Sequence, residues 1–186
     1  MSKEELKKIK KEIESFLNSD ERVLKIEYKG DDLNASKYYH KILFGNPVKF
    51  LFSVAAIGLC SFLPSSEFKN SIYRSLGMKI GKDVSIPWKV GFDVLAPQLI
   101  TIDDGAIIGA GVKFFTHEAT ISGVRIGKIS IGKKALVGLM STIRSGVSIG
   151  DYAVVGACSF VNKNVGNYEF AGGVPIKKIK KLASPI

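Results

Sequence analysis

From Ile80 onward, aliphatic residues recur every six positions, and that period constrains the fold more than any other feature. Ile131, Val137, Ile143, Ile149, Val155 and Val161 form an unbroken ladder, with Gly132, Gly138, Gly150 and Gly156 directly after four of them. Four places after each comes a small or β-branched residue: Ala135, Ser141, Val147, Ala153, Ser159 and Val165. Earlier registers run Ile80-Ile86 and Ile102-Ile108-Phe114, with Val84, Val90, Ala106 and Val112 at the same offset. A period of six fits neither a helix nor an alternating strand. It fits a short strand followed by a tight turn. Three such hexads close one coil of a triangular prism of parallel strands, with the aliphatic residue pointing to the axis. Glycine is expected at the corner, where backbone torsions exclude most side chains. Each coil buries its edge only against the next, so several must stack.

The register breaks over residues 116–130, where Ile126 and Ile131 are five apart. A break in a regular solenoid predicts a loop leaving the prism, and loops on rigid scaffolds are where sites are built. His117 lies in that break, in Phe115-Thr116-His117-Glu118, and is the one histidine of the repeat region.

The first 79 residues differ in kind. Sixteen of the 19 glycines lie between Gly77 and Gly173, leaving three before them. Residues 2–18 read as an amphipathic helix, capped by Ser2 and Glu5 and striped by Leu6, Ile9, Ile13 and Phe16. A second helix is expected over about 34–44, stopped by Gly45-Asn46-Pro47, and a short one through Tyr73 and Leu76. His40, beside two tyrosines, reads as a packing residue. The apolar segment 48–63 contains a fourteen-residue uncharged run, Phe50–Leu63. That is short of the roughly 20 residues a spanning helix needs. It predicts a buried helix or one lying in a membrane surface.

The net charge is +10, from 27 basic and 17 acidic residues. Acidic residues interrupt the basic run of the first helix, so nucleic acid is not the expected partner. Two cysteines supply neither a disulfide framework nor a Cys-based zinc site, which points to the reducing cytoplasm. No apolar signal peptide opens the chain.

The repeat resembles the hexapeptide-repeat acyltransferases, in the branch of maltose, galactoside and surface-glycan O-acetyltransferases. The resemblance covers about residues 70–182 and is strongest over 131–180. It includes the entry Tyr73–Gly81 and the ending Ala171-Gly172-Gly173-Val174-Pro175 before a basic, helix-like tail. It implies a mainly β fold: a left-handed parallel β-helix over 80–186, with a helical N-terminal region over 1–79. It also implies a homotrimer that binds acetyl-CoA in the groove between subunits, with no metal. The expected activity is transfer of an acetyl group to a hydroxyl or amino group of a sugar or glycan precursor, in the cytoplasm or at the inner membrane surface.

His117 matches the family's general base, and imidazole, with a pKa of roughly 6.5, suits proton abstraction near neutrality. Glu118 is expected to orient that imidazole or contact the acceptor. Asp93, in Gly91-Phe92-Asp93, is expected to hydrogen-bond a sugar hydroxyl. Leu139 stands where the sugar acetyltransferases commonly carry a serine, so only its backbone N–H can serve the oxyanion. Ala157 matches a small residue beside the pantetheine arm. Asn162 and Lys163 match a Thr/Ser-Lys pair, and Lys177 and Lys180 match two basic tail residues. The lysines would meet CoA phosphates as point charges, without the bidentate grip of arginine. A single solenoid histidine rules out the three-histidine zinc site of γ-class carbonic anhydrases, which share the fold. The alternative reading is a non-catalytic trimeric scaffold or membrane-surface adaptor.

Overall fold

The computed structural model describes residues 3–27, 47–120 and 123–183. The helix expected over 34–44, and His40 within it, lie outside the described residues. The chain forms a mainly β structure, a left-handed parallel β-helix of five coils. Its first face stacks β2 (Lys79–Ile80), β3 (Ile100–Ile102), β8 (Ile129–Ile131) and β11 (Ser148–Ile149). The second stacks β4 (Ile107–Ile108), β9 (Leu136–Val137), β12 (Val154–Val155) and β14 (Glu169–Gly172). The third stacks β5 (Lys113–Phe114), β10 (Thr142–Ile143) and β13 (Phe160–Val161).

The hexad ladder therefore becomes three buried columns along the axis. One is Ile80, Ile102, Ile131, Ile149 and Val165; the next is Ile86, Ile108, Val137, Val155 and Ala171. The third begins with Phe92 stacked on Phe114 at 4.9 Å and continues through Ile143 and Val161. Residue spacing between coils marks where the chain departs from the prism. Ile131 pairs with Ile149 after 18 residues, but Ile80 pairs with Ile102 after 22 and Ile102 with Ile131 after 29. The first excess lies around 93–99. The second is not an irregular loop but a hairpin of β6 (His117–Thr120) and β7 (Gly123–Gly127).

The glycines after the aliphatic residues serve a different purpose from the one expected. Their φ values are ordinary. The left-handed corner falls two places later, at Asp83, Lys134, Met140, Tyr152 and Cys158 as well as at Gly105 and Gly111. What excludes a side chain at Gly81, Gly109, Gly132, Gly138 and Gly150 is the next coil. A Cβ on Gly132 would lie 2.6 Å from the Asp151 nitrogen, and one on Gly138 2.7 Å from the Ala157 Cα. Glycine is required there for close backbone approach rather than for torsion.

The N-terminal region is not wholly helical. After α1 (Lys3–Leu17), strand β1 (Val23–Glu27) joins β7 antiparallel, making a three-stranded sheet with the hairpin. Helices α2 (Pro47–Cys60) and α3 (Glu67–Ser75) cover the first coil. Tyr73 meets Phe92 edge-on at 4.9 Å, closing the third column, and Ile57 and Cys60 extend the same core. The buried Lys69 ammonium donates to the carbonyls of Leu63 and Pro87, each at 2.9 Å, which fastens α3 to both α2's exit and the first coil. The tail is a strand, not a helix: β15 (Lys177–Lys181) pairs antiparallel with β14. The free edge of β14 offers it a ladder of hydrogen bonds, and this tertiary partner overrides lysine's helical preference.

Candidate active site

His117 opens the hairpin at the corner where the third face ends. Thr116, fully buried, sets the exit angle: its N–H and Oγ1–H donate to Asp93 Oδ2 at 2.9 and 2.8 Å. The Leu95 N–H donates to Oδ1 at 3.0 Å. His117 Nδ1 meets the same Oδ2. Both departures from the prism thus converge, one carrying Asp93 and the other His117. The Asp93 side chain is 2% exposed and that of His117 18%. Burial pushes the His117 pKa down to about 4, against a smaller opposing pull from Glu118. Burial also pushes Asp93 up, while its Leu95 and Thr116 hydrogen bonds act in the other direction. At neutral pH the imidazole is uncharged. The Nδ1–Oδ2 contact favours the tautomer with its proton on Nδ1, which leaves the Nε2 lone pair for an incoming proton.

Asp93 is therefore not presented to a solvent-borne sugar; both of its oxygens are engaged within the protein. Glu118 does not turn to the imidazole either. It accepts from Arg144 Nε at 2.9 Å and from Ser145 Oγ at 2.5 Å, and Arg125 Nε lies 3.6 Å away. Burial pushes its carboxyl up, but the Arg144 and Ser145 hydrogen bonds prevail and hold it below the usual carboxylate range. Arg125 also donates to the Ser145 hydroxyl and carbonyl, at 2.9 and 3.1 Å. This cluster binds the hairpin to the third coil. Its sequence signal is Ile143-Arg144, the point where the ladder carries arginine in place of glycine.

The remaining expected residues fall along the prism. Leu139 and Ala157 occupy the same corner of successive coils, both exposed, and the Cys158 N–H donates to the Leu139 carbonyl at 2.9 Å. The first-face corner provides a contrast. There the N–H groups of Lys82, Lys133 and Asp151 are capped by Asp104, Asp151 and Asn167 side chains of the next coil, at 2.8, 2.8 and 3.0 Å. Among the described residues, the N–H groups of Leu139 and Ala157 have no such cap. Farther along the same face, β15 places Lys177 opposite Gly172 and Lys180 opposite Phe170, both lysines exposed. Lys178 pairs with Glu169 at 3.1 Å. Asn162 and Lys163 follow β13 at another corner, one coil beyond Arg144, and the buried Asn162 Oδ1 has no hydrogen-bond partner among the described residues.

No protein-family model matches the chain. "Putative acetyltransferase YvoF" of Bacillus subtilis is 37% identical over 133 residues, covering 71% of this chain and 77% of that protein. "Putative acetyltransferase SAR0816" of Staphylococcus aureus is 36% identical over 159 residues, covering 78% and 97%. Among solved structures, a hexapeptide-repeat acetyltransferase from Vibrio cholerae superposes with a TM-score of 0.64 at 21% identity, over 74% of this chain and 92% of that one. A galactoside acetyltransferase in complex with coenzyme A gives 0.60 at 22% identity, over 75% and 83%. By its relatives' sequences and by its fold, the chain belongs to the hexapeptide-repeat acetyltransferases.

Proposed function

We propose that the protein moves an acetyl group from acetyl-CoA to a hydroxyl or amino group of a sugar or glycan precursor, with His117 as general base. The observation that carries this reading is the buried Asp93–His117 pair. Asp93 holds Nδ1 protonated, so Nε2 takes the proton from the acceptor as its oxygen or nitrogen attacks the thioester carbon. The uncapped N–H of Leu139 suits the resulting oxyanion, since a preorganised donor stabilises charge as it develops. Collapse breaks the carbon–sulfur bond, and the thiolate of CoA recovers the proton from the imidazolium. Ala157 leaves room along the edge for the pantetheine arm. Asn162, Lys163, Lys177 and Lys180 present donors suited to its polar groups and phosphates.

The relatives' description as acetyltransferases and the coenzyme A complex of a fold neighbour support this reading. We place the enzyme in the cytoplasm as a homotrimer, with the groove completed by a neighbouring subunit. The outward face of α2 supports a contact with the inner membrane surface. Leu51, Phe52 and Leu59, with Phe62 beyond the helix, are mostly exposed. Among the described residues no helix is long and apolar enough to cross a membrane, so any contact there would be interfacial.

The test is thiol release from acetyl-CoA by purified protein given a panel of sugars and nucleotide sugars. Acceptor-dependent release supports the reading. Failure to bind acetyl-CoA at all overturns it in favour of a scaffold.

A further inference from the structure

The two excursions that carry the Asp93–His117 pair share a second, smaller core with the N-terminal segment. Ile9, Ile13 and Phe16 of α1 and Ile26 of β1 pack with Ala96 and Leu99, just after Asp93, and with Val124 and Ile126 of β7. Ile126 stands opposite His117 on one side and Leu24 on the other. A lone two-stranded hairpin is marginal in water, so the third strand and the helix behind it hold the His117 strand in place.

Arg22, directly before β1, fastens this unit to the prism. Its Nη2 donates to the Lys128 carbonyl at 3.2 Å, the Ser130 hydroxyl at 3.1 Å and the Val147 carbonyl at 3.1 Å. Its Nε donates to the Gly146 carbonyl at 3.4 Å. In return the Lys128 N–H donates to the Arg22 carbonyl at 2.9 Å. The Lys128 ammonium donates to the Ser19 carbonyl and lies 4.8 Å from the Phe16 ring centre. Lys128 is where the hairpin rejoins the coil. One guanidinium therefore ties the hairpin's exit to two successive coils.

We propose that Arg22 is a positioning residue for acyl transfer, holding the hairpin so that the His117 imidazole keeps its place over Asp93. The proposal rests on the reading of His117 as the base. Displacing a catalytic group by about 1 Å costs up to about 100-fold in rate, so a brace at the hairpin exit acts on kcat.

The experiment measures kcat, KM for acetyl-CoA and Tm of the full chain, with the most active sugar of the panel, for Arg22→Ala and Arg22→Lys. Arg22→Ala is made both alone and with His117→Ala. Arg22→Ala alone is expected to lower kcat about tenfold or more, with KM for acetyl-CoA changed less than about twofold. Arg22→Lys recovers part of the loss, because an ammonium reaches some of the same carbonyls. With His117 already removed, Arg22→Ala lowers the residual rate less than about twofold, the coupling expected of residues acting through one group. An unchanged kcat in Arg22→Ala, or an equal loss in both backgrounds, overturns the proposal alone. Full turnover by His117→Ala overturns the base reading and this proposal with it.

Discussion

Asp93 and His117 lie 24 residues apart, on two separate excursions from the prism, and meet through Oδ2 and Nδ1 beneath the hairpin. Three further donors, from Leu95 and Thr116, fix the carboxylate. This geometry makes Asp93 the group that sets the imidazole tautomer. In Asp93→Asn, one amide cannot accept from Thr116 and also accept Nδ1–H without turning its own N–H₂ toward a donor. The variant is expected to lose on the order of 100-fold or more in kcat, with KM for acetyl-CoA little changed. Steady-state kinetics check this.

Burial of His117 fixes a pH dependence. Its pKa is lowered to about 4, so the base form persists as pH falls and is lost only when pH passes through about 4. The acid limb of kcat/KM is therefore expected well below the ordinary histidine value of roughly 6.5. A pH–rate profile with its acid limb at or above 6.5 would show an imidazole more solvated than this one.

Glu118 is expected to matter for fastening rather than for proton transfer. Glu118→Gln removes the charge that Arg144 and Arg125 share and weakens the link between hairpin and third coil. A loss of about 1–3 kcal/mol, read as a Tm drop of several degrees, is expected, with kcat reduced less than about tenfold.

The two kinds of turn position separate by mutation. Gly138→Ala drives a methyl into the next coil at Ala157 and is expected to cost about 1–3 kcal/mol or more. Met140→Gly replaces a side chain at φ 57°. Relief of the left-handed strain and the loss of chain stiffness nearly cancel, leaving a change within about 1 kcal/mol. Denaturant melts of both variants test the assignment.

The outward face of α2 gives a further prediction. Phe52 and Phe62 are 56% and 76% exposed, so Phe52→Asp/Phe62→Asp should leave the fold intact. Co-sedimentation with vesicles rich in phosphatidylglycerol is expected for the native chain and reduced in the variant. Equal sedimentation of the two would exclude this face as the contact.

The stack of coils was legible because inward residues recur at a fixed step, and a single strand type then repeats. The site's histidine was legible where it interrupts that step. His117 stood out because the register fails around it, whereas Asp93 sits in a shorter excursion that leaves no comparable gap. Arg22 and β1 were invisible because their partners lie roughly a hundred residues away, and nothing local in Val23–Glu27 distinguishes a docking strand from a helix linker. The lysine-rich tail read as a helix for the same reason: its strand form depends on the free edge of β14. The glycines after the aliphatic residues were read as corner glycines for the wrong cause, since a close approach between coils leaves the same mark in sequence as a strained torsion.

The central claim is that His117 removes the acceptor's proton. The most direct test compares native chain and His117→Ala in two measurements, acetyl-CoA binding by calorimetry and acceptor-dependent thiol release. Binding is expected to stay within about twofold while turnover falls about 100-fold or more. Undiminished turnover in His117→Ala would contradict the account.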